Sequence, residues 1–172
     1  PDGIDKDAIH AQIETLLQRT NQQMSTYIKD SELSLLNRNS TPEWVELSDD
    51  LAQVLEMSLE VSQKSAGAFD VTVGPLVNLW GFGPKGRIET RPAAEDIARA
   101  QAQCGYEKIE LETGRIRKQG PALYIDLSAI AKGYGVDVLA DYLESEGIED
   151  YLVEIGGEIR AKGHSMRGDA WR

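Results

Sequence analysis

The segment Asp126-Leu-Ser-Ala129-Ile-Ala-Lys132-Gly133-Tyr-Gly-Val-Asp137 constrains this chain more than any other stretch. It joins a carboxylate, a hydroxyl, a lysine, two glycines and a second carboxylate. The apolar run Ala122-Leu-Tyr-Ile125 before it reads as a buried strand. After it, Ile130, Tyr134, Val138, Leu139, Tyr142 and Leu143 recur at three- and four-residue steps and predict a helix. Asp126 is thereby expected at a strand end and Ser128 at a helix start. The first-turn amides of a helix are unsatisfied donors at its positive end, which suits a phosphate. Gly133 and Gly135 each cost roughly 1 kcal/mol of helix propensity. Two such losses suit a close approach by another group. Helix–sheet packing with a serine cap explains the same pattern, and spacing alone does not separate the two readings.

Charge narrows the function classes. The chain has 172 residues and a formal net charge of -11. Nucleic acid and acidic membranes are attracted by basic faces, so neither is an expected partner. A phosphate ester on so acidic a protein calls for a bridging cation. Hydrophobic residues make up 41% of the sequence, enough for a globular core. The single Cys104 excludes an intrachain disulfide and a cysteine-rich metal site. The chain opens at Pro1 without an initiator methionine and closes at Trp171-Arg172 after a loop-like run. It is therefore expected to be a piece of a longer protein.

Helices and strands alternate along the chain. A helix is predicted near residues 5–22, with Ile9, Ile13, Leu16 and Leu17 on one face. Ser31 caps a short helical turn, and Ser48 caps a longer helix that stops near Ala66-Gly67. Trp44 to Leu47 and Phe69 to Val73 read as short strands, the second closed by Gly74-Pro75. Pro75 and Pro92 each open a further helix. Ile109 to Leu111 and Arg115 to Arg117 form a hairpin around Thr113-Gly114. Tyr151 to Ile155 and Glu158 to Arg160 are strands around a glycine break. Glu158 reads as an edge-strand charge rather than a site residue.

Several chemistries are set aside. Gly81-Phe-Gly83-Pro-Lys-Gly86 matches G-x-G-x-x-G, but a helix is expected before it and none directly after, so it reads as a surface loop. His10 and His164 lack partners at metal-ligand spacing and read as surface residues. Trp44, Trp80 and Trp171 read as core anchors.

Four segments, in order, resemble the ApbE family of flavin transferases. They are Met24-Ser-Thr-Tyr27 with Asp30-Ser-Glu-Leu33 and Asn37; Gly67-Ala-Phe-Asp70-Val-Thr-Val-Gly74-Pro-Leu; Asp126-Leu-Ser-Ala129-Ile-Ala-Lys132-Gly133 with Asp137; and Gly156-Gly157-Glu-Ile159. Val77-Asn-Leu-Trp-Gly-Phe-Gly83 is similar to the form found in periplasmic members. The resemblance implies an α+β fold, antiparallel sheet with flanking helices, incomplete in this chain. It implies that residues 1–172 are the N-terminal and central part of a single transferase domain.

The implied activity is magnesium-dependent transfer of FMN from FAD to a Ser or Thr hydroxyl of a target flavoprotein, with release of AMP. The alternatives within the family are an FAD pyrophosphatase and a non-catalytic FAD-binding protein. The implied cofactor is Mg2+, with FAD as substrate. Implied targets are subunits of sodium-pumping NADH:quinone reductase, Rnf or related membrane redox complexes. The implied location is the periplasm, lipid-anchored to the inner membrane. Residue by residue, Tyr27, Ala68, Phe69, Asp70, Asp126 and Lys132 match FAD-contacting positions, and Ala129 matches a metal ligand acting through its carbonyl. No catalytic residue is assigned. The family also has an upstream Thr-Met-Gly-Thr strand and a C-terminal half with Thr-Ser-Gly, His-Ile-Ile-Asp-Pro and Asp-x-x-x-Thr segments, which this chain does not contain.

Overall fold

A computed structural model describes residues 5–84 and 86–171. The readings placed on Pro1, Lys85 and Arg172 lie outside the described residues. The chain divides into two compact units. A central unit takes Asn21–Ala129, and a terminal unit takes Pro1–Thr20 with Ile130–Arg172.

The central unit contains the end of α1 (Lys6–Met24), then α2 (Glu32–Arg38), β1 (Val45–Glu46), α3 (Asp49–Lys64), α4 (Gly74–Leu79), α5 (Ala94–Gln103), β2 (Ile109–Glu112) and β3 (Arg115–Lys118). Local chemistry sets its helix starts. The Ser31 hydroxyl accepts from Ser34 N at 3.1 Å, and the Ser48 hydroxyl accepts from Leu51 N at 3.4 Å. Each cap satisfies an otherwise orphaned amide. Glu32 ties the two caps together. Its Oε1 accepts from Ser48 N at 2.7 Å and its Oε2 from the Ser48 hydroxyl at 2.6 Å. The sheet order is β1-β3-β2, antiparallel throughout. Leu33, Leu51, Leu55, Ile116, Ile125 and Leu127 are all completely buried in this unit.

Three sequence readings need correction here. Residues 69–73 form a turn rather than a strand. The Asp70 side chain accepts from Thr72 N at 2.7 Å, and Val73 N donates to Asp70 O at 3.3 Å. An aspartate that bonds its own backbone two residues on curls the chain. Leu123 and Ile125 are buried as expected, but among the described residues no strand pairs with Ala122 to Ile125. The Asn37 side chain stands in for a neighbouring strand: its Nδ2 donates to Ile125 O and its Oδ1 accepts from Ile125 N, both at 2.8 Å. The tryptophans are not core anchors. Trp80 is exposed, and Trp44 is only partly covered, with the guanidiniums of Arg115 and Arg117 at 4.9 and 4.8 Å from its ring. Trp171 is partly covered and donates from Nε1 to Lys162 O.

The terminal unit contains most of α1, then α6 (Ala131–Ser145) and a hairpin of β4 (Tyr151–Ile155) and β5 (Glu158–Lys162). Asp5 starts α1 by accepting from Asp7 N and Ala8 N through one carboxylate oxygen. Helix α6 begins at Ala131, three residues later than the sequence suggests. Ser128 is not its cap, because Ser128 N donates to Asp126 Oδ1 in a separate turn. The core of this unit is Val136, Leu139 and Ala140 of α6 against Tyr151 and Val153 of β4. Ile13, Leu16 and Leu17 of α1 pack on it, as their spacing predicts. Outside the core, Arg160 on β5 pairs with Asp137 at 3.1 Å, Asp141 at 2.8 Å and Glu144 at 3.0 Å on one face of α6.

The architecture is α+β, with antiparallel sheet and flanking helices. Among the described residues, no helix is long and apolar enough to cross a membrane.

Candidate functional site

Three segments far apart in sequence converge on one cavity of the central unit, about 390 Å³ in volume. The turn after α1 brings Tyr27. The turn after α3 brings Ala68, Phe69 and Asp70. The turn that precedes α6 brings Asp126 and Ala129. Every position that the resemblance assigns within the central unit is therefore in the lining.

Local devices hold each of them. Helix α3 ends with Ala66 at φ 51 and Gly67 at φ 80, and Gly67 N donates to Ser62 O at 2.9 Å. That left-handed exit turns the chain sharply. Phe69 N is then fixed on the Ser65 hydroxyl at 3.0 Å. One oxygen of Asp70 accepts from both the amide and the hydroxyl of Thr72, at 2.7 Å each. Thr72 is completely buried, and its hydroxyl oxygen also accepts from Gly105 N at 2.6 Å. Asp70 is thus held through Thr72 on the loop that follows α5.

Asp126 is only 8% exposed. Its amide donates to Val71 O at 2.8 Å, and its Oδ1 accepts from Ser128 N at 2.9 Å. The first bond ties two walls of the cavity together. The second closes the turn that exposes Ala129. Tyr27 stands at the open side, 63% exposed, and donates from its hydroxyl to Phe82 O at 3.0 Å.

Lys132 belongs to the terminal unit. Its ammonium donates to Gly156 O at 3.1 Å and lies 3.3 Å from a Glu158 carboxylate oxygen. The third and fourth resembling segments therefore meet there. Glu158 is an exposed strand charge, and its partner is this lysine. The two helix glycines also separate. A Cβ at Gly135 would lie 3.3 Å from Ile155 Cδ1, so packing accounts for that glycine. A Cβ at Gly133 would meet nothing within 4 Å, and packing does not account for it.

The lining also includes Val71, Val73, Val77, Phe82 and Ser128, which the sequence reading did not assign to the site. The valines belong to an apolar run whose use in a cavity wall has no local signal. Phe82 did carry one, an aromatic residue between two glycines. A larger cavity of about 630 Å³ is lined by Asn78 of α4, Arg99 of α5 and Tyr124 of the segment after β3, among others. It contains none of the assigned residues, and size alone does not make it the site. His10 and His164 are exposed, as expected.

The donors facing the smaller cavity are hard oxygens: two carboxylates and the backbone of an exposed turn. Magnesium is commonly held by one or two carboxylates together with waters and substrate phosphates, so this donor set fits it. Among the described residues, no group of three or more His, Cys, Asp or Glu side chains is placed to hold a metal. The apolar wall and open aromatic edge suit a ligand with one flat apolar end and one charged end.

Comparison with known proteins places this geometry in context. The ApbE family model matches residues 3–172. The chain is 48% identical over its whole length to an FAD:protein FMN transferase of Vibrio cholerae, covering 52% of that protein. It is 49% identical to one from Haemophilus influenzae, over 95% of this chain and 49% of the relative. The solved flavin transferase ApbE from Vibrio cholerae superposes with a TM-score of 0.97 at 48% identity, covering 100% of this chain and 56% of the other. The apo form of Pseudomonas stutzeri flavinyl transferase ApbE gives 0.90 at 38% identity, over 99% and 54% of the two chains. The chain spans about half the length of the curated relatives it matches.

Proposed function

Because this chain belongs to the ApbE family, we propose that it forms the N-terminal and central part of a magnesium-dependent FAD:protein FMN transferase. The observation that carries this reading is the convergence of Tyr27, Ala68, Phe69, Asp70, Asp126 and Ala129 on one cavity. Residues 27, 68–70 and 126–129 are brought together only by the fold.

In this reading the flavin ring lies against the open face of Tyr27 and the apolar wall. Asp70 and Asp126 fix polar groups of the nucleotide, each already oriented by a bonded neighbour. The Ala129 carbonyl would be the metal ligand, as the resemblance implies. Magnesium, when bound, neutralises charge on the diphosphate. The target's Ser or Thr oxygen bonds to the FMN phosphorus. The bond from that phosphorus to the bridging oxygen breaks, AMP leaves with that oxygen, and the hydroxyl proton passes to solvent. Such displacements depend on positioning and charge neutralisation more than on a protein nucleophile. The acidic surface agrees with a cation-assisted substrate. We place the protein in the periplasm, lipid-anchored to the inner membrane. Its targets would be subunits of sodium-pumping NADH:quinone reductase, Rnf or related redox complexes.

The test uses the full-length protein with FAD, magnesium and a target domain, read as flavin fluorescence in a denaturing gel. A fluorescent target band that disappears on chelation is expected. Free FMN and AMP without a band would replace transfer by hydrolysis. FAD binding with no AMP released would leave a binding protein only.

A further inference from the structure

Phe82 lines the cavity and yet is 77% exposed. Single exposed apolar residues are ordinary on protein surfaces. What sets Phe82 apart is how firmly its backbone is placed. Gly81 has φ 76, and a Cβ there would come within 2.6 Å of Ile88 N. A Cβ at Gly83 would come within 1.9 Å of Asn78 Oδ1. Gly81 has no room for a side chain against backbone and Gly83 none unless Asn78 moves, so the loop's path at Phe82 is set by its neighbours and not by burial of the phenyl ring. The Phe82 carbonyl also accepts the Tyr27 hydroxyl, from 55 residues away in sequence. One hydrogen bond therefore couples two exposed aromatic residues that line the same cavity.

We propose that Phe82 is a second ring-binding residue, which together with Tyr27 receives the isoalloxazine ring of FAD. This rests on the flavin reading of the cavity. Flat aromatic ligands gain most from aromatic side chains already held in place, since little side-chain freedom is then lost on binding. The tie from Tyr27 to the Phe82 carbonyl makes the two residues one device. Contacts to the ring then come from Phe82, and contacts to the diphosphate come from elsewhere.

The test titrates the full-length protein with FAD, FMN and ADP by calorimetry, comparing wild type with Phe82→Ala and Phe82→Trp. Phe82→Ala should weaken FAD and FMN about tenfold, the scale of one aromatic stacking contact, and leave ADP unchanged. Phe82→Trp should restore both flavin affinities. Unchanged FAD affinity in Phe82→Ala overturns the proposal, including the case where only the KM for the target protein rises. Equal weakening of all three ligands overturns it too, because the ring would then be structural. A wild-type protein that binds neither FAD nor FMN overturns the flavin reading itself, and is told apart because the failure precedes any substitution.

Discussion

The irregular segment 123–127 and the hairpin of β4 and β5 satisfy their backbones in different ways. The hairpin uses a ladder, from Tyr151 opposite Lys162 to Ile155 opposite Glu158. The other segment has one backbone bond of this kind, from Asp126 N to Val71 O, and otherwise uses side chains. Asn37 takes both polar groups of Ile125, and the ammonium of Lys118 donates to Leu123 O at 3.4 Å and Leu36 O at 2.8 Å. A ladder spreads support over many equivalent bonds. A side-chain clamp concentrates it in one or two residues. In return, the backbone beyond the clamp is free of strand geometry, and Asp126 and Ala129 can turn into the cavity.

The largest test of this contrast is Asn37→Ala. It strips partners from both backbone groups of a completely buried residue, at about 1–3 kcal/mol for each unsatisfied group. A loss of about 3 kcal/mol in chemical denaturation is expected. A loss below about 1 kcal/mol would mean that the clamp is not what holds the segment.

Asp126→Asn comes next. Asparagine keeps an acceptor for Ser128 N but not the charge, so the melting temperature of the apo-protein should barely move. FAD with magnesium should then stabilise the protein less, because ligand stabilisation follows affinity. Transfer should fall by about tenfold or more, on the scale of a lost charged contact. Unchanged transfer would remove Asp126 from the site.

Lys118→Met sharpens the same region through pH. Burial pushes the Lys118 ammonium below its ordinary pKa of 10.5. Between that lowered folded value and 10.5 the unfolded chain binds more protons, so stability should rise with pH across the window. The methionine variant should lose that rise, which denaturation curves over the alkaline range would show. An identical slope in both proteins would assign the effect to another group.

The smallest effect is expected in the terminal unit, at Glu144. Its carboxyl is pulled down to about 2, first by Lys162 and then by Tyr151 and Arg160. The stability it contributes is present above its ordinary 4.5 and is lost as pH falls toward about 2. The charged partners Glu144, Arg160 and Lys162 are partly exposed, and surface pairs of this kind are weak and screened by salt. Glu144→Gln should flatten the acid limb slightly at low salt and not at all at high salt. A large or salt-independent change would make the network structural.

What the sequence made legible follows the same division. Ser31 and Ser48 were readable as caps because a cap is a local event. The hairpins around Thr113-Gly114 and Gly156-Gly157 were readable because turn chemistry and alternation sit in neighbouring residues. Phe69 to Val73 and Ala122 to Ile125 were misread as strands. Their apolar pattern reports burial, while the partners that decide the backbone, the Asp70 carboxylate and the distant Asn37 amide, leave no local trace. The cavity was legible only through the order of the family-like segments. Asn37 was noticed within one of them, without its role. Thr72 likewise lies within one of them without its role, and Lys118 lies in none, since a buried threonine and a single strand lysine carry no pattern. Gly81 and Gly83 were seen and assigned to a surface loop, because the clash that requires them depends on Ile88 and Asn78.

The Asn37 clamp has a consequence for the order of assembly. It joins residues 88 apart in sequence, and the Lys118 bond to Leu36 spans 82. Contacts of such separation form only after long loops have closed, whereas the β4–β5 hairpin closes locally. The wall that carries Asp126 is therefore expected to be among the last parts to become protected during refolding. Pulse-labelled hydrogen exchange should find Ile125 N exchanging after the β4 amides have stopped, so that early intermediates hold a formed hairpin and no binding cavity.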